Sequence, residues 1–443
     1  MIGFTQDYFT PFLLLLGGTA KDVGILSSLP NFFSALVQLK SADLTEKVGS
    51  RKKIINLFVF LQAIMLVPIA FVAMRKGTVP IAFIILVTFF TAFGAFAAPA
   101  WSSLMSDLVA EDKRGEYFGW RNKRLGFVIV GMSFLAGIIL HSAEKNYIFF
   151  GFAVIFALAF VFRLISWNFL RQMEEPKLVH TTEDRFTLFR FLARIKESNF
   201  AWFVLFVSIM NFSVNLASPY FAVFMLRDLH FGYLLYSVIT VTATLVIYLM
   251  MGRWGRHADK VGNLKVVKIT APIIATLPLC WVINRNPIFL LFVQILSGFA
   301  WAGFNLCASN FIYDAVTPGK RTRCISYFNV LNGLALCLGA LMGGFIVQKL
   351  PPLFGYNILT LFVVSSSLRA LVSILLPLRL KEVRSVQKVR DDQLLLSMIG
   401  IKPLFFFAQR MERNVASKQY SAPRRIIAAK PTSDPLIRRS RIE

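Results

Sequence analysis

The sequence predicts an all-α polytopic membrane protein, and three observations predict it. Apolar residues make up 56% of the 443-residue chain and charged residues only 16%, where soluble domains run at about 45–50% and about 25%. The apolar residues fall into runs of spanning length, since a helix needs roughly 20 of them to cross a bilayer. The basic residues cluster between alternate runs, as they do when Lys- and Arg-rich loops stay in the cytoplasm. The 45 Phe against 23 acidic residues argue against a soluble enzyme. The net charge of +25 punctuates apolar runs instead of striping a soluble fold, so no nucleic-acid partner is expected.

Taken in order, residues 1–17 (MIGFTQDYFTPFLLLLG) form a short apolar segment interrupted by Gln6, Asp7 and Pro11. It has no basic n-region and no small-residue cleavage site, so it is not a signal peptide. At about 1.5 Å per residue it reaches about 25 Å of a core about 30 Å thick. It therefore reads as the outer part of a first helix whose inner part would precede Met1. The run at 23–44 contains Pro30 and Asn31 and reads through as helix two, because lone breakers are tolerated in membrane helices. Runs at 54–73, 79–109, 125–143 and 147–170 follow as helices three to six. A mixed-charge cytoplasmic linker spans 174–198 and is amphipathic around Phe186–Ile195. Runs at 200–226, 232–252, 266–283, 287–315, 325–349 and 352–378 are helices seven to twelve.

Orientation follows from loop charge. The loops after helices two, four, six, eight and ten, with Lys268 at the start of helix nine, hold 23 Lys and Arg; the alternate loops, with Lys349 at the end of helix eleven, hold seven. The first set belongs in the cytoplasm. From Arg379 on, 15 basic and 6 acidic residues make a basic cytoplasmic tail, 381–443. Its stretch 393–409, broken by Lys402-Pro403, reads as an amphipathic segment on anionic lipids. After Ser417, Pro, Ser, Arg and Lys dominate, a composition that favours disorder.

The two sets of six helices repeat. Residues 46–53 (EKVGSRKK) and 259–266 (DKVGNLKV) place acid, Lys, Val and Gly at identical spacing. Asp107 precedes Arg114 by seven residues, as Asp314 precedes Arg321; Phe118 precedes Asn122 by four, as Phe328 precedes Asn332. A duplicated six-helix unit is the reading these matches support. A carboxylate at a helix end, a basic neighbour and a turn glycine suit a latch that opens in each cycle, each exposed pair contributing only about 0–1 kcal/mol.

The loop Gly255-Arg-His-Ala-Asp259-Lys260-Val-Gly262-Asn-Leu-Lys265 resembles the helix 2–3 and 8–9 signature G-x-x-x-D-[RK]-x-G-x-[RK]-[RK] of the major facilitator superfamily (MFS). It departs only at Leu264. The first-half copy keeps Lys47, Gly49, Arg51 and Lys52, with Ala42 for the leading Gly and Glu46 for the Asp. The resemblance covers about 1–380 and implies a 12-helix (6+6), two-bundle transporter, with bundles at 1–173 and 199–380. It assigns Glu46, Lys47, Gly49, Arg51, Lys52, Gly255, Asp259, Lys260, Gly262 and Lys265 to a cytoplasmic gate. Asp107, Arg114, Asp314 and Arg321 are its companions.

The resemblance also implies a central cavity among helices 1, 4, 7 and 10. Asp7 lies ten residues before Gly17, about 15 Å into the membrane, and an intramembrane carboxylate suits substrate binding or proton coupling. Neutral cavity candidates are Gln6 and Tyr8; Trp101 and Ser102; Asn211, Asn215 and Tyr220; Trp301, Asn305 and Asn310. Together they describe an amphipathic pocket that is not strongly charged, although such residues also bond neighbouring membrane helices. Arg163 and Arg369 are expected to snorkel to the cytoplasmic surface.

Helix 5 lacks the Gly-Pro-rich element, and helix 4 the Arg, that mark the superfamily's drug antiporters. Cys280, Cys307, Cys324 and Cys337 form no C-x-x-C, and His141, His180, His230 and His257 are scattered, so neither metal nor cofactor is expected. The expectation is a monomeric, non-enzymatic secondary transporter of a small organic solute in a cytoplasmic (inner) membrane. Efflux of amphipathic compounds, and a transporter-like lipid-handling or sensory protein without turnover, are the alternatives.

Overall fold

A computed structural model describes residues 1–75, 77, 79–109, 114–145, 147–176, 198–316, 318–383, 386 and 389–398. Among these, helices account for the regular structure, and the sole bridge is Leu353 with Tyr356. The first segment is split into α1 (Ile2–Thr5) and α2 (Phe9–Leu15). There follow α3 (Ala20–Val48), α4 (Arg51–Met74), α5 (Pro80–Leu108), α6 (Arg114–Ala143) and α7 (Ile148–Arg171). The seventh span is also split, into α8 (Asn199–Asn215), α9 (Tyr220–Val223) and a π-helical turn (Phe224–Asp228). Then come α10 (Tyr233–Val261), α11 (Asn263–Ile283), α12 (Pro287–Ala315), α13 (Pro318–Ile346) and α14 (Asn357–Leu375).

Ten helices among the described residues are long and apolar enough to cross a membrane; α1–α2 and the more polar, 29-residue α3 lie outside that set. Side-chain caps begin several of them. Ser50 Oγ accepts from Lys53 N at 3.1 Å, Ser198 Oγ from Ala201 N at 3.3 Å and Asn286 Oδ1 from Ile288 N at 2.9 Å, each satisfying an N–H the helix leaves unpaired. Gly49 (φ +66°) and Gly262 (φ +92°) close the equivalent turns α3–α4 and α10–α11 in a conformation other residues resist. Helices α6 and α10 run beyond their apolar stretches into the charged sequence, so the basic loops of the sequence reading are partly helical.

Within the first half α4 packs on α5 and α7, and α3 on α5; within the second, α11 packs on α12 and α14, α10 on α12, and α8 on α13. The main contacts between halves are α3 with α13 and α6 with α10; α9 also meets α2 and α3. Residues 1–388 form one compact unit and 389–443 a second. Of the second, residues 389–398 are described, with α15 (Asp391–Met398). Most of the linker and the tail from 399 on lie outside the described residues.

Candidate functional site

The first and seventh spans break at corresponding places, and each break follows from a proline. In a continuous helix Pro11 would face the carbonyl of Asp7, to which it has no N–H to donate and with which its ring clashes. The helix therefore parts at Gln6–Tyr8, and the freed Asp7 carbonyl accepts from the Tyr236 hydroxyl of α10 at 2.6 Å. Pro219 has the same effect on the seventh span. The Ser213 carbonyl, which loses its helical donor to Val214, accepts from Ser365 Oγ at 2.6 Å; the Val214 carbonyl takes the Ser218 N–H at 3.0 Å and also Arg369 Nη2 at 3.1 Å. Broken helices survive in a membrane only where neighbours satisfy the exposed backbone.

Two cavity lobes meet at these breaks. One, of about 440 Å³, opens among second-half helices and is lined by Phe221, Trp281, Gln294, Trp301 and Arg369. The other, of about 740 Å³, lies among first-half helices and is lined by Asn31, Gln38, Gln62, Arg163 and Asn215. Gln6, Asp7, Thr10, Ser218 and Pro219 line both. The Asp7 carboxylate accepts from Ser133 Oγ of α6 at 2.7 Å. Asp7 thus touches its own half through the side chain and the other half through the backbone.

Of the expected cavity residues, Gln6, Asp7, Asn215 and Trp301 line the lobes. Tyr8 and Tyr220 are corrections: both are fully buried and bridge helices. Tyr8 Oη donates to the Ser133 carbonyl and lies 2.7 Å from Ser237 Oγ; Tyr220 Oη donates to the Ala340 carbonyl at 2.7 Å. Asn211 also turns away, its Nδ2 donating to Asn332 Oδ1 at 2.7 Å. Trp101 packs beside the Ile54–Leu104 cluster, under the Arg121 guanidinium at 4.2 Å. Trp101, Ser102, Asn305 and Asn310 line neither lobe, because they sit past the middle of 29-residue helices, toward the loop end; Trp301 is at the middle of α12.

Arg163 and Arg369 are the larger correction. Neither reaches the surface. Arg163 Nη2 donates to Gln62 Oε1 of α4, and Arg369 is only 3% exposed, donating to Ser365 Oγ and to the Ile274 and Val214 carbonyls. They occupy equivalent places on α7 and α14, one in each lobe. The pocket is therefore more charged than the sequence reading expected. Tyr236 and Ser133 were missed as well, since nothing in their sequence context separates them from ordinary helix-packing residues.

The residues expected to form a gate lie at the loop ends. Arg51, buried at the start of α4, donates from Nη1 to Asp107 Oδ2 at 2.5 Å and Ser103 Oγ at 3.1 Å. Glu175, just past α7 and absent from the sequence reading, takes the end of α4. Its Oε1 accepts from the N–H groups of Arg51 and Lys52 at 2.5 and 3.1 Å, and its Oε2 from Ser50 Oγ at 2.6 Å. The second half repeats this: Asn263 Nδ2 donates to Asp314 Oδ2 at 2.7 Å, and Leu264 N to Glu382 Oε2 at 2.8 Å. Lys47 and Asp259 are exposed, Lys260 and Lys265 half-buried, Lys52 half-buried, and Gly255 lies within α10 one turn before Asp259. The side chains of Glu46, Arg114 and Arg321 lie outside the described residues.

Partial burial works against the Glu175 carboxylate. The hydrogen bonds from Ser50, Lys52 and Arg51 and the Arg51 charge outweigh it and hold the carboxyl below the usual range. A carboxyl with a lowered folded pKa stabilises above its unfolded value of about 4.3 and loses that contribution as pH falls through the folded one. Glu175→Ala should therefore cost about 1–2 kcal/mol at neutral pH, and the gap to the wild type should close below about pH 4. Thermal unfolding of both proteins across that range checks this; a gap constant with pH would contradict the capping role.

The chain matches the family model described as Major Facilitator Superfamily over residues 1–284 and 201–426. No curated protein sequence matches it. Among solved structures, it is similar to a mutant form of the nucleoside transporter NupG, with 15% identity, TM-score 0.65 and coverage of 86% of this chain and 98% of that one. A bacterial homologue of the human lysosomal transporter Spinster, in an inward-facing and unoccupied conformation, is similar at 16% identity and TM-score 0.56, covering 84% and 93%. A bacterial homologue of the iron transporter ferroportin, in an inward-facing state, is similar at 14% identity and TM-score 0.59, covering 84% and 95%. With the family model spanning both halves and a multi-pass helical fold shared with these transporters, the chain belongs to the major facilitator superfamily.

Proposed function

We propose that the protein is a secondary transporter that moves a small organic solute across a cytoplasmic membrane by alternating access, coupled to protons through Asp7. Twelve spans in two bundles, 1–173 and 199–380, rock about the two helix breaks. One observation carries the reading: Asp7 lines both lobes, bonds its own half through Ser133 and meets the other half through Tyr236. A group so placed feels both the solute and the relative position of the halves, which is what coupling requires. The loop-charge bias supports a cytoplasmic gate at the α3–α4 and α10–α11 turns and a cytoplasmic C-terminus on anionic lipid. The protein works as a monomer without cofactor.

The test is uptake into proteoliposomes containing the full chain, with and without an inward proton gradient. Solute entry accelerated by the gradient is the expected result. No movement of any solute under either condition would overturn the transport reading and leave a lipid-handling or sensory role.

A further inference from the structure

The charged side chains lining the two lobes are one carboxylate, Asp7, and two guanidiniums, Arg163 and Arg369. Arginine stays protonated in proteins, so the cavity carries an excess of positive charge in the middle of the membrane. Among the described residues neither arginine forms an ion pair. Asp7 is engaged with Ser133. A buried, unpaired cation is strongly unfavourable, and intramembrane charges are held by partners or serve a ligand.

The hydrogen-bond count sharpens this. A guanidinium has five N–H groups. Arg369 uses Nε on Ser365 at 3.1 Å, one Nη1 hydrogen on Ile274 at 3.3 Å and one Nη2 hydrogen on Val214 at 3.1 Å. One hydrogen remains on each terminal nitrogen for a carboxylate or phosphate oxygen. The Ile274 carbonyl, which Pro278 leaves without a helical donor, and the Val214 carbonyl fix this guanidinium in place, so little order is lost on binding. Arg163 has Gln62 alone, and its Nε is buried without an acceptor. Beside Arg369, the partly exposed Trp301 and Phe221 line the lobe and can meet an apolar or planar body, with the buried Trp281 packed behind Phe221.

Resting on the transport reading, we propose that the solute is an organic anion whose carboxylate or phosphate pairs with Arg369, with its body against Trp301 and Phe221. Arg163 supplies the matching positive field in the other lobe. A neutral solute of the same shape leaves both cations unpaired and is rejected.

The experiment is a thermal-shift and tryptophan-fluorescence screen on the purified full chain, in which each acid is matched with its neutral amide or alcohol: benzoate with benzamide, phenyl phosphate with phenol, and so on through a solute library. Binders should fall among the acids. Arg369→Gln should weaken the best of them by about 30-fold or more, and Arg369→Lys by less, because a charge survives but the fork does not. The acid-versus-neutral comparison needs only the wild type, so it stands if the variants fold poorly. Binding and transport of neutral members with equal strength would overturn the anion proposal while leaving the transporter intact. No binding and no transport by either class would overturn both.

Discussion

Asp7→Asn is expected to abolish accumulation of solute against its gradient while leaving downhill exchange measurable. One proton per cycle across one pH unit supplies about 1.4 kcal/mol, which supports about tenfold accumulation. Asn keeps the shape of the side chain and can still bond Ser133, but it carries no ionisable proton. Accumulation should then fall to unity at every gradient, and transport should lose its pH dependence. The break in the first span makes this a sharp test, because the Tyr236 bond to Asp7 uses the backbone carbonyl and survives the substitution. A variant that still accumulates solute in response to a proton gradient would take Asp7 out of the coupling step. Loss of downhill exchange as well would assign Asp7 to solute binding instead.

Much of this site can be traced to particular residues. Pro11 and Pro219 announce the two breaks, and an acidic residue four positions before Pro11 is rare enough in a membrane segment to be noticed. The turn glycines, Gly49 and Gly262, are legible from the repeated loop and adopt positive φ. Facing direction is not legible. Arg163 and Arg369 lie eight and six residues before their helix ends, within reach of snorkelling on hydropathy alone, and only the packing of α7 on α4 and α14 on α11 turns them inward. Tyr8 and Tyr220 mark the same repeat and look like cavity residues, yet each is consumed by a carbonyl on a neighbouring helix. Glu175 and Glu382 escape notice for a different reason. They follow the last spans of their halves, in sequence that reads as linker and tail, while their partners are N–H groups at helix starts far earlier in the chain.

Enlarging Gly24 or Gly137 should shift the protein between conformations, and this effect is separable from ordinary destabilisation. A Cβ on Gly24 would lie 2.7 Å from Tyr220 Oη and 2.8 Å from the Ala340 carbonyl; one on Gly137 would lie 2.2 Å from Ser237 Oγ. These contacts join the two halves, near the helix ends that the charge bias assigns to the outer face. Leucine at either site clashes in this conformation, at about 1–3 kcal/mol, and is relieved once the halves part there. That cost corresponds to a population shift of about 5- to 150-fold toward the alternate state. Gly343 is the control: its Cβ would meet the Leu216 carbonyl at 2.2 Å, but α13 and α8 belong to the same half and stay packed in both states. A membrane-impermeant maleimide reacting with a cysteine at Thr10, which lines both lobes, reads the difference. Applied from the outer face, it should react faster in Gly24→Leu and Gly137→Leu, while Gly343→Leu should lower the melting temperature without changing the labelling rate. Equal labelling in all three would mean that the halves do not separate at these helices, and the rocking motion would have to be placed elsewhere.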